Sequence, residues 1–114
     1  MNLKTSSIKW IPLIFFLTGA GCRTSDSFNF GAYSEAENFY EKGEYARAAA
    51  KYEEYLRENP GGNMAVISRY YMAKSYEGMG QADRAREIYE KIVKEAPELI
   101  WATFSRERLE ELKT

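Results

Sequence analysis

Cys22, in the stretch LTGAGCRTS over residues 17–25, is the only cysteine of a 114-residue chain that contains no histidine. A lone thiol closes no intrachain disulfide, and without a second cysteine or an imidazole a thiolate or histidine zinc site has no ligands. Acid–base chemistry is left to carboxylates, lysines, serines and tyrosines, and no spacing among them singles out an acid and base pair. Gly61, Gly62, Gly78 and Gly80 fall where predicted helices end and form no phosphate-binding loop. Neither catalysis nor a metal or organic cofactor is therefore expected. The thiol has a different use, as a point of attachment.

The residues before Cys22 say what kind of attachment. Lys4 and Lys9 make a positive start, residues 10–17 are an apolar run broken only by Pro12, and Gly19, Ala20 and Gly21 are small enough to enter a peptidase site. The run is shorter than the roughly 20 residues that span a bilayer, so residues 1–21 read as a removable export signal. The stretch LTGAGC resembles the lipobox of bacterial lipoproteins, in which the cysteine is acylated and becomes the mature amino terminus. Gly19 stands where that family most often has Leu, with Leu17 two residues earlier. The resemblance implies fatty acylation, palmitate included, at Cys22; simple cleavage with an incidental thiol and an uncleaved anchor are the alternatives. Each buried methylene contributes about 0.8 kcal/mol, so several chains on one residue anchor stably. Arg23 rather than Asp follows the cysteine, which by the same resemblance implies the outer membrane, on its periplasmic face, in a double-membraned bacterium.

Residues 22–31 are the expected tether, polar apart from Phe28 and Phe30, which are expected to pack on the first helix. A stretch of this length reaches only about 30 Å, which keeps the folded part near the membrane. All 17 acidic residues lie after Cys22, and no basic patch of the kind nucleic acid requires is present. Glu53 with Arg57, Glu87 with Lys91 and Glu90 with Lys94 stand four apart, as on a solvated helix face.

The rest of the chain repeats. An offset of 37 residues places Tyr33 on Tyr70, Ala36 on Ala73, Gly43 on Gly80, Arg47 on Arg84, Ala48 on Ala85, Tyr52 on Tyr89 and Pro60 on Pro97. The same offset carries AVISR at 65–69 onto ATFSR at 102–106, so the tail begins a third unit and stops halfway. Each unit reads as a helical hairpin: Ser34 with Glu37 as a capping box, a short helix ended by Gly43, then Tyr45, Ala48, Ala49, Tyr52, Tyr55 and Leu56 at spacings of three and four before Pro60. In the second unit Asn63 is the expected cap, Gly80 the turn, and Ala82, Ala85, Ile88, Tyr89, Ile92 and Val93 the apolar stripe.

These residues match the tetratricopeptide pattern W-x2-L-G-x2-Y, A-x3-F, P: Met72, Ala73, Tyr76, Ala85, Tyr89 and Pro97 in one unit, Ala36, Phe39, Ala48, Tyr52 and Pro60 in the other, with Glu35 in a usual Leu slot and Arg69 and Arg106 in the Trp slot. The chain thus resembles tetratricopeptide repeat proteins. Its longer period and its signal together are similar to those of envelope lipoproteins and periplasmic proteins of outer-membrane assembly and the Tol system. The resemblance implies an all-α solenoid of about two and a half hairpins, five helices, over residues 32–114, with repeats at about 29–62 and 66–99 and a capping helix at about 100–112. It also implies a groove lined by the first helix of each hairpin, here Tyr33, Glu37, Tyr40, Ile67, Tyr70, Tyr71, Lys74, Glu77 and Phe104, that takes an envelope protein or peptide. The alternative is a self-assembling subunit, since two and a half repeats fall short of the three or so that bury a continuous core.

Overall fold

The computed structural model describes residues 31–113; the expected export signal, Cys22 and the expected tether up to Phe30 lie outside them. The described residues form an all-α solenoid of helical hairpins with five helices. These are α1 (Gly31–Glu41), α2 (Tyr45–Glu58), α3 (Asn63–Gly78), α4 (Ala82–Glu95) and α5 (Ile100–Leu112).

The two hairpin turns are built alike. Gly43 and Gly80 both adopt φ 79°, a left-handed conformation that glycine enters without a Cβ penalty. After each glycine the next N–H donates back into the helix, Glu44 to the Phe39 carbonyl at 2.9 Å and Gln81 to the Tyr76 carbonyl at 2.8 Å. This closure satisfies carbonyls that the helix end would leave unpaired. Between the hairpins Arg69, in the slot where the repeat pattern has Trp, donates to the Pro60 carbonyl at 2.8 Å and ties the connection to α3.

Both sequence-predicted caps are overturned. Ser34 lies inside α1, which already begins at Gly31. The helix extends past the expected start because Tyr33 packs its ring on Tyr52 and Tyr55, at 6.0 and 5.7 Å, and that burial rewards the added turn. Asn63 is the first residue of α3; Gly62, at φ 91°, holds the cap position with no side-chain hydrogen bond. The charges also choose partners other than the expected ones. Lys91 pairs with Glu95 at 3.0 Å, and Lys51 reaches from α2 across to Glu35 of α1 at 2.9 Å.

The core follows one rule. Ala36, Ala48, Ala73, Ala85 and Ala102 have no exposed surface, which lets neighbouring helices approach, and Tyr52 and Tyr89 are buried beside them as fillers. Two buried clusters result, one centred on Tyr52 and the other on Tyr89, and Tyr71 and Met72 pack against both. On the outer side Arg47 lies over the Phe39 ring at 5.5 Å and Arg84 over Tyr76 at 4.5 Å, the same cation–π contact one repeat apart.

Gly78 joins the hairpins by a close approach. A Cβ there would stand 2.4 Å from the Tyr45 ring, which is itself held by Tyr40 at 5.6 Å. Gly78→Ala should therefore lose about 1–3 kcal/mol by overpacking, despite the roughly 1 kcal/mol that alanine gains over glycine in a helix. Thermal melting checks this. In a Tyr45→Ala background the same substitution should become neutral or stabilising, and a rise in Tm in the otherwise native chain would refute the contact.

Candidate functional site

The helices bring seven side chains around a cleft of about 330 Å³. Tyr33, Glu37 and Glu41 come from α1, Tyr52 from α2, Ile67 and Tyr71 from α3, and Trp101 from α5. Each of the first helices of three successive units thus contributes. A second depression, lined by Arg86, Glu90, Arg106, Leu109, Glu110 and Lys113, interleaves both charge signs on α4 and α5 and holds no aromatic side chain. The aromatic cleft is the stronger candidate, because rigid amphipathic rings supply contact area at small entropic cost.

Of the residues singled out from the sequence, Tyr33, Glu37, Ile67 and Tyr71 line this cleft. Tyr40 stands at its edge, edge-on to Tyr71 at 5.3 Å. Tyr70 is buried behind it, against Tyr89 at 5.7 Å, Trp101 at 5.3 Å and Phe104 at 6.1 Å. Tyr70 and Phe104 therefore build the supporting wall. Lys74 and Glu77 lie outside the lining, in the second half of α3. Glu41, Tyr52 and Trp101 were missed. Glu41 follows Glu37 by one helical turn and was within reach of a spacing argument. Trp101 aligns with Met64 under the 37-residue offset, so the repeat gave no hint of it.

The polar groups of the cleft are set by burial. Burial first, then the hydrogen bond from its hydroxyl to Glu37, pushes the Tyr33 phenol well above its usual 10. Burial does the same to Tyr52, with the Glu37 charge adding to it. Both phenols stay protonated at neutral pH, so each keeps an O–H to donate.

Glu77 organises a second polar centre. Arg108 of α5 donates to it twice, Nη2 to Oε1 at 2.5 Å and Nε to Oε2 at 3.1 Å, and Tyr89 of α4 donates its hydroxyl to Oε2 at 2.6 Å. Arg108 also pairs with Glu111. Burial alone would raise the Glu77 carboxyl, but the hydrogen bonds from Arg108 and Tyr89 and the nearby charges of Arg108 and Lys74 outweigh it and hold the group below 4.5. Under the 37-residue offset Glu77, Tyr89 and Arg108 are the counterparts of Tyr40, Tyr52 and Tyr71. Three positions that are all aromatic thus become, one period further along the chain, an ion pair and a phenol.

Paired helices stacked at a constant interval, with their first members sharing one cleft, define a helical-repeat scaffold. The profile of the tetratricopeptide repeat family matches residues 39–104, more than half of the chain, and the chain belongs to that family. Such repeats commonly mediate protein–protein interaction. No curated protein and no solved structure matches the chain.

The Glu77 centre ties α3, α4 and α5 together. Glu77→Gln should cost about 1.5–3 kcal/mol at neutral pH. Because the carboxyl is depressed in the folded state, its contribution is complete above the unfolded value near 4.5 and is lost as pH falls through the lower folded value. Urea unfolding of both proteins from neutral pH down to about pH 2 should show the gap closing on acidification.

Proposed function

We propose that the chain is a non-catalytic adaptor of the cell envelope, held to a membrane by acylation of Cys22 and gripping a protein or peptide segment in the aromatic cleft. The cleft is the observation that carries the reading. Three successive first helices converge on it, four of its seven lining side chains are aromatic, and Ile67 adds an aliphatic contact that belongs to neither buried cluster. The membership in a family that commonly mediates protein–protein interaction supports the same reading. The phenols of Tyr33 and Tyr52 are held protonated and the two glutamates are exposed, an environment suited to hydrogen bonding and charge recognition rather than to proton transfer near neutrality.

The resemblance of LTGAGC to a lipobox, with the positive and apolar segments before it, supports the lipid anchor and, through Arg23, an outer-membrane address on the periplasmic face. We favour the adaptor over a self-assembling subunit. The side of α5 turned from the core carries Thr103, Arg106, Glu107 and Glu110, and among the described residues Ile100 is the only large apolar side chain left exposed. A polar outer face is what ends a solenoid in water.

Cys22→Ser should abolish labelling by a clickable fatty-acid analogue and move the protein from the membrane fraction to the soluble one; persistent labelling removes the anchor from the proposal. Ile67→Arg places a long side chain in the cleft without touching either buried cluster. It should leave helicity and melting nearly unchanged and release proteins crosslinked to the native chain in cells. Crosslinking that survives Ile67→Arg places the binding surface elsewhere.

A further inference from the structure

Resting on the cleft as the binding surface, we infer that the bound segment presents an arginine or lysine flanked by apolar residues, its cationic head at Glu37 and Glu41 and its stem against the rings. The first ground is unmatched charge. Glu37 and Glu41 stand one turn apart on α1, both exposed, and among the described residues neither has a basic side chain within ion-pair distance. The carboxylates around them are already matched: Glu35 by Lys51, Glu44 by Arg47, Glu77 by Arg108. Two cations on the other helices that line the cleft are engaged as well: Lys51 of α2 is shared between Glu35 and Glu54, and Arg108 of α5 between Glu77 and Glu111.

The second ground is the wall. Tyr33, Tyr52, Tyr71 and Trp101 surround the same space, and the face of an aromatic ring attracts a cation, Trp most of all. Tyr33 stands one turn before Glu37 on α1 and keeps its phenol protonated beside that carboxylate. A guanidinium satisfies both features, since its flat fork pairs with carboxylates while its faces stack on rings. An acidic segment would meet like charge. A purely apolar one would take water from two carboxylates and return no partner. Complementary charge of this kind selects among partners more than it adds raw affinity.

The test is selection of a random-peptide phage library on the full chain in detergent micelles at low salt. The expected consensus places arginine or lysine beside Leu, Ile or Phe. A synthetic peptide of that sequence should lose about tenfold in affinity when its arginine is replaced by citrulline, with a similar loss on Glu37→Gln combined with Glu41→Gln, and the two losses should not add. Added salt should weaken the native pair and leave the citrulline peptide nearly unchanged. Circular dichroism checks that the double variant keeps its helices; the citrulline comparison needs no variant protein. A neutral or acidic consensus whose binding Ile67→Arg abolishes overturns the cationic partner and keeps the cleft. No enrichment, or binding indifferent to Ile67→Arg, overturns both.

Discussion

The packing of this domain depends on alanines sealed between adjoining helices with a tyrosine sealed beside them. Ala36, Ala48, Ala73, Ala85 and Ala102 are sealed from solvent, with Tyr52 and Tyr89 sealed beside them. A larger residue at any of these alanines would force two helices apart, and a smaller one at either tyrosine would leave a cavity. The choice of tyrosine rather than phenylalanine carries a further condition, since a buried hydroxyl needs a partner. At Tyr89 that partner is Glu77, whose charge in turn recruits Arg108. Packing and polar architecture are thus linked through one side chain.

The two units keep the same backbone devices and differ in what they place on the first helices. The glycine turns at Gly43 and Gly80 and the cation–π contacts of Arg47 and Arg84 are repeated faithfully. The three positions held by Tyr40, Tyr52 and Tyr71 are held, 37 residues further on, by Glu77, Tyr89 and Arg108. An aromatic trio leaves ring faces available to a neighbouring cleft, and an ion pair with its phenol satisfies itself internally. The scaffold is therefore chemically polarised even though its geometry repeats.

Rigidity is what makes the cleft usable. Two of its rings are backed by neighbours in the packed interior, Tyr71 by the buried Tyr70 at 5.3 Å and Trp101 by Tyr70 and the half-buried Phe104 at 5.3 and 5.5 Å. A ligand meeting such a surface has little side-chain ordering to impose on it. The exposed glutamates at the rim are the part free to respond to what arrives.

The architecture was legible in the chain because its determinants are local: glycines able to take positive φ at fixed offsets, apolar residues at spacings of three and four, and alanines recurring every 37 residues. Half of the cleft was legible too, since Tyr33, Glu37, Ile67 and Tyr71 follow from helix position alone. Tertiary structure alone decided that Tyr70 packs inward while its neighbour Tyr71 faces the opening, that Trp101 closes the cleft, and that Glu77 meets Arg108 across 31 positions of sequence. It also overrode the caps expected at Ser34 and Asn63. A repeat fixes how far apart equivalent residues lie along the chain, but the rotation of each helix about its own axis is set by the side chains it packs against, and that rotation chooses which residues look into the groove.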